Sequence, residues 1–183
     1  MEPSAWEREL SHEQLAFRDG DATARKPWKD APWRPAALVA VRRRGAAAVA
    51  LTVESMPKVT GYFSFGVGRA MAKVGERFGD HAGTCGLRQD AEYEASRRAS
   101  SSGFGRRADR DDKELGPEIK QGSRLALRLS ERDAEGTRTA CFYVDQREVA
   151  VFAGIEDDGG DSDWVAGARS CSPVESLESA SPA

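Results

Sequence analysis

Four carboxylates in one short stretch, Asp157, Asp158, Asp161 and Asp163, broken by Gly159 and Gly160, are of the type that surrounds a hard cation. They lack the spacing of a calcium-binding helix-loop-helix and its terminal bidentate Glu, so an acidic loop is expected and no metal is assigned. The nucleophiles are as sparse. Cys85, Cys141 and Cys171 are odd in number, far apart and without a Cys-x-x-Cys pair, and only His12 and His81 could join them as ligands. That pattern fits reduced thiols in the cytoplasm and argues against a zinc site or a disulfide framework. No Gly-x-Ser-x-Gly elbow accompanies a His and an Asp, and Met71 stands where a dinucleotide fingerprint beginning at Gly66-Val67-Gly68 would need its third Gly. No enzyme chemistry and no cofactor are expected.

Binding chemistry is better represented. Arginine and aromatic side chains are common anchors in protein interfaces, and they act best from loops on a rigid frame. The candidate partner-binding residues are Arg69, Met71, Arg77, Phe78 and His81 in one segment, Phe104 and Arg106 with Arg107 in a second, and Asp163 beside Trp164 in a third. Trp164 itself reads as core, and Trp28 and Trp33 precede the first clear strand. The basic runs Arg42-Arg43-Arg44, Arg97-Arg98 and Arg106-Arg107 are short, and 27 Lys and Arg face 30 Asp and Glu in 183 residues. A nucleic-acid or anionic-membrane surface is therefore not expected. Arg97-Arg98-Ala99-Ser100 has the form of a basophilic kinase acceptor.

The elements that must carry these residues repeat with period two. Ala47, Val49, Leu51 and Val53 alternate with Ala48, Ala50, Thr52 and Glu54; Phe63, Phe65 and Val67 follow, and the two runs read as an antiparallel pair. Leu125, Leu127 and Leu129 alternate with Arg124, Ala126 and Arg128, giving one leucine face and one arginine face open to solvent or a partner. From 138 to 152 a hairpin is expected, with Ala140, Phe142 and Val144 inward and Val149 and Val151 continuing against Glu148 and Ala150. Further strands are expected at 14–17, 37–42, 84–88, 92–96 and 164–169, with short helical turns only near Ser4 and over 69–78. Residues 97–112 read as a long loop. Many short strands linked by Gly, Pro and charged residues predict an all-β, two-sheet antiparallel sandwich. The domain spans 14–172, with an N-terminal extension over 1–13 and a disordered tail over 173–183. Neither a membrane span nor a secretory signal is legible at the N-terminus, and the chain reads as cytoplasmic and monomeric.

Several segments match one family in series. Gly61-Tyr62-Phe63-Ser64-Phe65-Gly66-Val67-Gly68 is similar to its strand ending in Gly-Val, and Gly83-Thr84-Cys85-Gly86-Leu87 to its Ser-Trp-Gly-Leu segment, with Cys85 in the place of an aromatic. Residues 119–127, 139–145 and 149–152 resemble its closing Gly-Asp strand and Phe-Tyr hairpin. Together, over roughly 33–172, the chain resembles a SPRY domain. Departures are Ser123 for an acidic residue, the absence of a Tyr-Trp pair in the 49–54 strand, and Asp145-Gln146 where Asn-Gly is common. Gln146 tolerates positive φ poorly, so a longer turn or one of another type is expected. The resemblance implies a concanavalin A-like sandwich, without catalytic residues, whose loops at one end bind a peptide or a folded protein. Two further readings stay open. One is a lectin-like carbohydrate-binding sandwich, and the other an accessory subunit docking through the face of Arg124 and Arg128.

Overall fold

The alternating runs become thirteen strands in a computed structural model that describes residues 6–11, 15–25, 36–41, 46–54, 63–69, 84–89, 100–103, 106–107, 119–157, 164–170 and 177–180. In chain order they are β1 (Ala16–Arg18), β2 (Thr23–Arg25), β3 (Ala36–Val41), β4 (Ala47–Val53), β5 (Phe63–Arg69), β6 (Thr84–Gln89), β7 (Ser100–Gly103), β8 (Arg106–Arg107), β9 (Arg124–Leu129), β10 (Thr137–Val144), β11 (Arg147–Glu156), β12 (Trp164–Ser170) and β13 (Leu177–Ala180). An eight-stranded sheet runs β1-β2-β13-β4-β9-β10-β11-β8 and a five-stranded sheet β3-β12-β5-β6-β7. Every pairing is antiparallel.

The two sheets close on one another because each alternating strand has one apolar face to hide. Leu51, Val53, Leu125, Leu127, Leu129, Phe142 and Val144 from the larger sheet meet Phe65, Val67, Leu87, Trp164 and Ala166 from the smaller one in a single buried core. Phe142 lies edge-on to Phe65 across the sandwich at 6.1 Å and edge-on to Phe152 at 5.7 Å. On β9 the leucines are buried while Arg124 and Arg128 stay exposed, as the alternation predicts.

Several details of the structure differ from the sequence expectation. β4 and β5 do not pair, since β4 lies between β13 and β9 while β5 lies between β12 and β6 in the other sheet. Adjacent alternating runs share a period whichever sheet they join, so local pattern cannot assign the partner. Residues 177–180 form a strand between β2 and β4 where a disordered tail is expected, and residues 100–103 and 106–107 of the expected loop are strands at two sheet edges. The N-terminal extension also joins the sandwich. Trp6 is buried, its backbone N–H donating to the Asp21 carbonyl at 2.9 Å and its indole N–H to Ala22 at 3.1 Å. The only helical turn among the described residues is the 3-10 turn Arg8–Leu10, without a side-chain cap. Of the helical turn expected over 69–78, Arg69 instead closes β5 and 70–78 lie outside the described residues, as do the expectations at Ser4 and 92–96.

In the β10–β11 hairpin, Ala150 is buried beside Val149 and Val151 is half-buried, because the register shift between Phe142 and Tyr143 puts an extra residue on β11. A bulge of this kind reverses the inside-outside phase beyond it. The turn is also tighter than expected. Val144 pairs directly with Arg147, leaving a two-residue connection in which Asp145 has φ 49° and Gln146 φ 70°. These values suit the primed turn that matches strand twist. Asp145 is held there from three sides: its N–H donates to the Arg124 carbonyl at 2.8 Å, and its carboxylate accepts from the Arg124 N–H at 2.8 Å and the Ser123 hydroxyl at 3.3 Å. Gln146 therefore adopts a left-handed conformation costly for a residue with a Cβ. Gln146→Gly is expected to stabilise the fold by about 1 kcal/mol and raise Tm by roughly 2–4 °C, measured by thermal unfolding.

Candidate functional site

The ends of β3, β5 and β7 and the starts of β6 and β12 meet at one end of the sandwich, and the ladders say why. Trp164, which opens β12, pairs with Val41 at the end of β3 and with Arg69 at the end of β5. Thr84, which opens β6, pairs with Gly68, and Gly103, which closes β7, pairs with Cys85. The connections 42–46, 70–83, 104–105 and 157–163 therefore all leave or enter the five-stranded sheet at the same end. In the larger sheet Ala47 opens β4 opposite Leu129, the last residue of β9, so the 130–136 connection from β9 to β10 lies at that end as well.

Each candidate can now be placed by backbone position. Arg69 ends β5 beside Trp164, and Arg106 opens β8 opposite Ala153 of β11. Asp163 immediately precedes β12 and Phe104 immediately follows β7. From β12 to β7 is three strand spacings, about 14 Å. Met71, Arg77, Phe78 and His81 belong to the connection from β5 to β6, outside the described residues, as do Asp163 and Phe104 themselves. Trp164 is buried in the core, as expected from the sequence.

The best-defined part of this end is one the sequence does not single out. Between β9 and β10, Asp133 folds the chain back on itself: its carboxylate accepts from the N–H of Glu135 at 3.0 Å, the N–H of Thr137 at 2.7 Å and the Thr137 hydroxyl at 2.7 Å. The Gly136 N–H donates to the Asp133 carbonyl at 3.1 Å, with Gly136 at φ 80°. The positive φ is what favours glycine at 136; a Cβ there would meet only the movable end of the Arg132 side chain, at 2.9 Å. The spacing Asp-x-x-Gly-Thr between two strands is the signal that could have identified this loop.

Beneath the loop lies a buried ion pair. The Arg138 guanidinium donates through Nε to Asp157 Oδ2 at 2.6 Å and through Nη1 to the Ser130 carbonyl at 2.8 Å. Arg132 Nε donates to the Asp157 carbonyl at 2.8 Å, and the Asp157 N–H to Gly136 at 2.9 Å. Asp157, counted in sequence among possible cation ligands, is thus committed to Arg138 and roots the segment that leads to Asp163. Among the described residues no three His, Cys, Asp or Glu side chains are grouped as metal ligands. Asp158, Asp161 and Asp163 lie outside them.

The electrostatics of the described part are those of a scaffold. The hydrogen bonds from the Thr137 side chain and backbone hold the Asp133 carboxyl below its ordinary value of 3.8. Its contribution to folding is present above that value and is lost as pH falls through the lower folded pKa. Burial pushes the Cys85 thiol far upward, and burial followed by the charge of Glu148 raises Cys141. Neither is an activated nucleophile. On the outer face of the larger sheet, Arg128 stacks over the Tyr143 ring at 5.5 Å, and the Tyr143 hydroxyl donates to Glu148 at 3.1 Å. Burial and that hydrogen bond raise Tyr143. Arg128 is therefore engaged within the sheet, which weakens the docking face read from its alternation with leucine.

No family profile and no curated protein sequence matches the chain. Solved structures do. The chain is similar to a human SPRY domain (TM-score 0.61, 11% identity, 91% of this chain and 94% of that one) and to the neuralized NHR1 domain of Drosophila melanogaster (0.58, 10%, 97% and 98%). It is also similar to the potassium-bound carbohydrate recognition domain of Emp46p (0.50, 12%, 95% and 95%). At such identities the likeness speaks for the fold, which is a SPRY-like, concanavalin A-like β-sandwich. Among the described residues no helix is long and apolar enough to cross a membrane.

Proposed function

We propose that the chain is a non-catalytic protein-interaction module that holds a peptide or a folded partner at the end of the sandwich where β3, β5 and β7 finish and β6 and β12 begin. The observation that carries this reading is the ladder register, which ends β5 at Arg69 and β7 at Gly103 along the same edge where β6 and β12 begin. In sequence Asp163 and Phe104 adjoin those strand ends, and Met71, Arg77, Phe78 and His81 belong to the β5–β6 connection. A rigid two-sheet frame offering arginine and aromatic residues from several connections is suited to peptide recognition, because the frame carries little of the ordering cost of binding. The likeness to SPRY and NHR1 domains supports the same reading, and the sequence resemblance implied it.

The test is affinity capture from the native extract, comparing the wild-type chain with a variant whose residues 71–81 are replaced by a Gly/Ser linker. Arg69 is kept, since it completes the ladder to Trp164. Specific proteins captured by wild type and lost by the variant, with β-sheet circular dichroism unchanged, are the expected result. Phe78→Ala and Phe104→Ala are each expected to weaken binding of the captured partner about tenfold or more, as interface anchors do, with Tm unchanged. Equal capture by wild type and the linker variant would overturn the site. Glycan binding without protein capture would favour the carbohydrate reading that the Emp46p domain exemplifies.

A further inference from the structure

In the eight-stranded sheet an early hairpin is joined to the central strands by a strand from late in the chain. The N-terminal hairpin β1–β2 reaches the central strands only through β13, which pairs Leu177 and Glu178 with Ala24 and Thr23 on one side and all four of its residues with 50–53 on the other. β13 is thus a four-residue strand filling a slot between two others. The slot is well made. Leu51 and Val53 on β4 are fully buried, β4 is fixed along its other edge by β9, and Val53 is further tied by hydrogen bonds to Ser123 at 3.0 Å and Gly122 at 2.7 Å. The occupant is less well suited. In its register Leu177 stands opposite Val53, but Ser179 takes the position opposite Leu51. A register position opposite a fully buried leucine is thus held by serine, a small polar residue with low strand preference.

From this mismatch we infer that the slot between β2 and β4 is a strand-acceptor site, able to take an extended peptide from a partner protein in place of β13. The preferred peptide carries an apolar residue at the position of Leu177 and a β-branched residue at that of Ser179. Main-chain hydrogen bonds to β2 and β4 supply the affinity, and the two positions opposite Val53 and Leu51 supply the selectivity, which is the logic of recognition by strand addition. The chain's own β13 competes as a tethered ligand. Tethering of this kind corresponds to an effective concentration in the millimolar range, so only a better strand displaces it. The site lies on a different edge from the strand connections proposed above and stands or falls independently of them.

The test uses the full chain and a synthetic peptide of residues 174–183 carrying Ser179→Val, read by backbone amide hydrogen exchange. With millimolar peptide, residues 177–180 of the chain are expected to exchange at least tenfold faster, while 23–25 and 49–53 keep their protection because a new strand has filled the slot. A peptide with Pro at the Ser179 position, lacking the N–H, is expected to have no effect. Ser179→Val in the chain itself is expected to raise the peptide concentration needed about tenfold. Unchanged protection at 177–180 would overturn the proposal, and so would joint loss of protection at 23–25, 49–53 and 177–180, which would mean that the sheet edge opens without accepting a strand.

Discussion

Arg138→Ala is expected to destabilise the protein by about 3–5 kcal/mol, the range for breaking a buried ion pair from one side. The Arg138 side chain is 2% exposed and that of Asp157 9%, so neither charge has water to fall back on. Removing the guanidinium leaves the Asp157 carboxylate without its 2.6 Å partner and the Ser130 carbonyl without its 2.8 Å donor. Asp157→Ala removes the carboxylate that balances the buried arginine and is expected to cost a similar amount. At this chain length the losses correspond to a fall in Tm of roughly 10 °C. The double variant Arg138→Met with Asp157→Leu separates pairing from packing. It is expected to recover most of the stability, because two apolar side chains need no partner. Chemical denaturation of the three variants checks the set, and single variants costing under about 1 kcal/mol would contradict the account. The pair also matters for the proposed site. Asp157 is tied to Gly136 and Arg132 through its own backbone N–H and carbonyl, so the ion pair and these main-chain bonds anchor the 130–136 loop to the residue from which the segment carrying Asp163 departs.

Phe142→Ala is expected to cost a similar 3–5 kcal/mol through a different mechanism. Phe142 is fully buried and bridges the layers, edge-on to Phe65 of the smaller sheet and to Phe152 of its own hairpin. Truncation leaves a cavity between the sheets and removes both aromatic contacts, each worth about 0.5–1.5 kcal/mol beyond area burial. Phe142→Leu, which keeps most of the volume, is expected to cost less than half as much. The urea midpoint should fall in both variants with the slope unchanged, since the surface exposed on unfolding is nearly the same. An unaltered midpoint for the alanine variant would show that the sheets are not joined through this ring.

The alternation of Leu125, Leu127 and Leu129 with Arg124 and Arg128 determined by itself which face of β9 is buried, and the run from Ala140 to Val144 did the same for β10. A strand's side chains point alternately to its two faces, so period-two patterning is a local property that sequence carries openly. The all-β class and the sandwich architecture followed from it, and the serial order of motifs supported the SPRY-like likeness. Pairing was another matter. That β4 and β5 join different sheets, that Leu177–Ala180 is drawn between β2 and β4, and that Arg106 lies against Ala153 all depend on contacts far apart in the chain. Local pattern does not encode such partners. The same holds for the turn at Asp145 and Gln146, where register and the Arg124 and Ser123 hydrogen bonds impose positive φ on a residue that does not favour it. It holds again for Asp157, an acidic loop residue in sequence, which the tertiary structure buries against Arg138 because a charge in the interior needs its counter-charge. The sequence could name the residues fit to bind; only the ladders decided that the strands carrying them end at one edge.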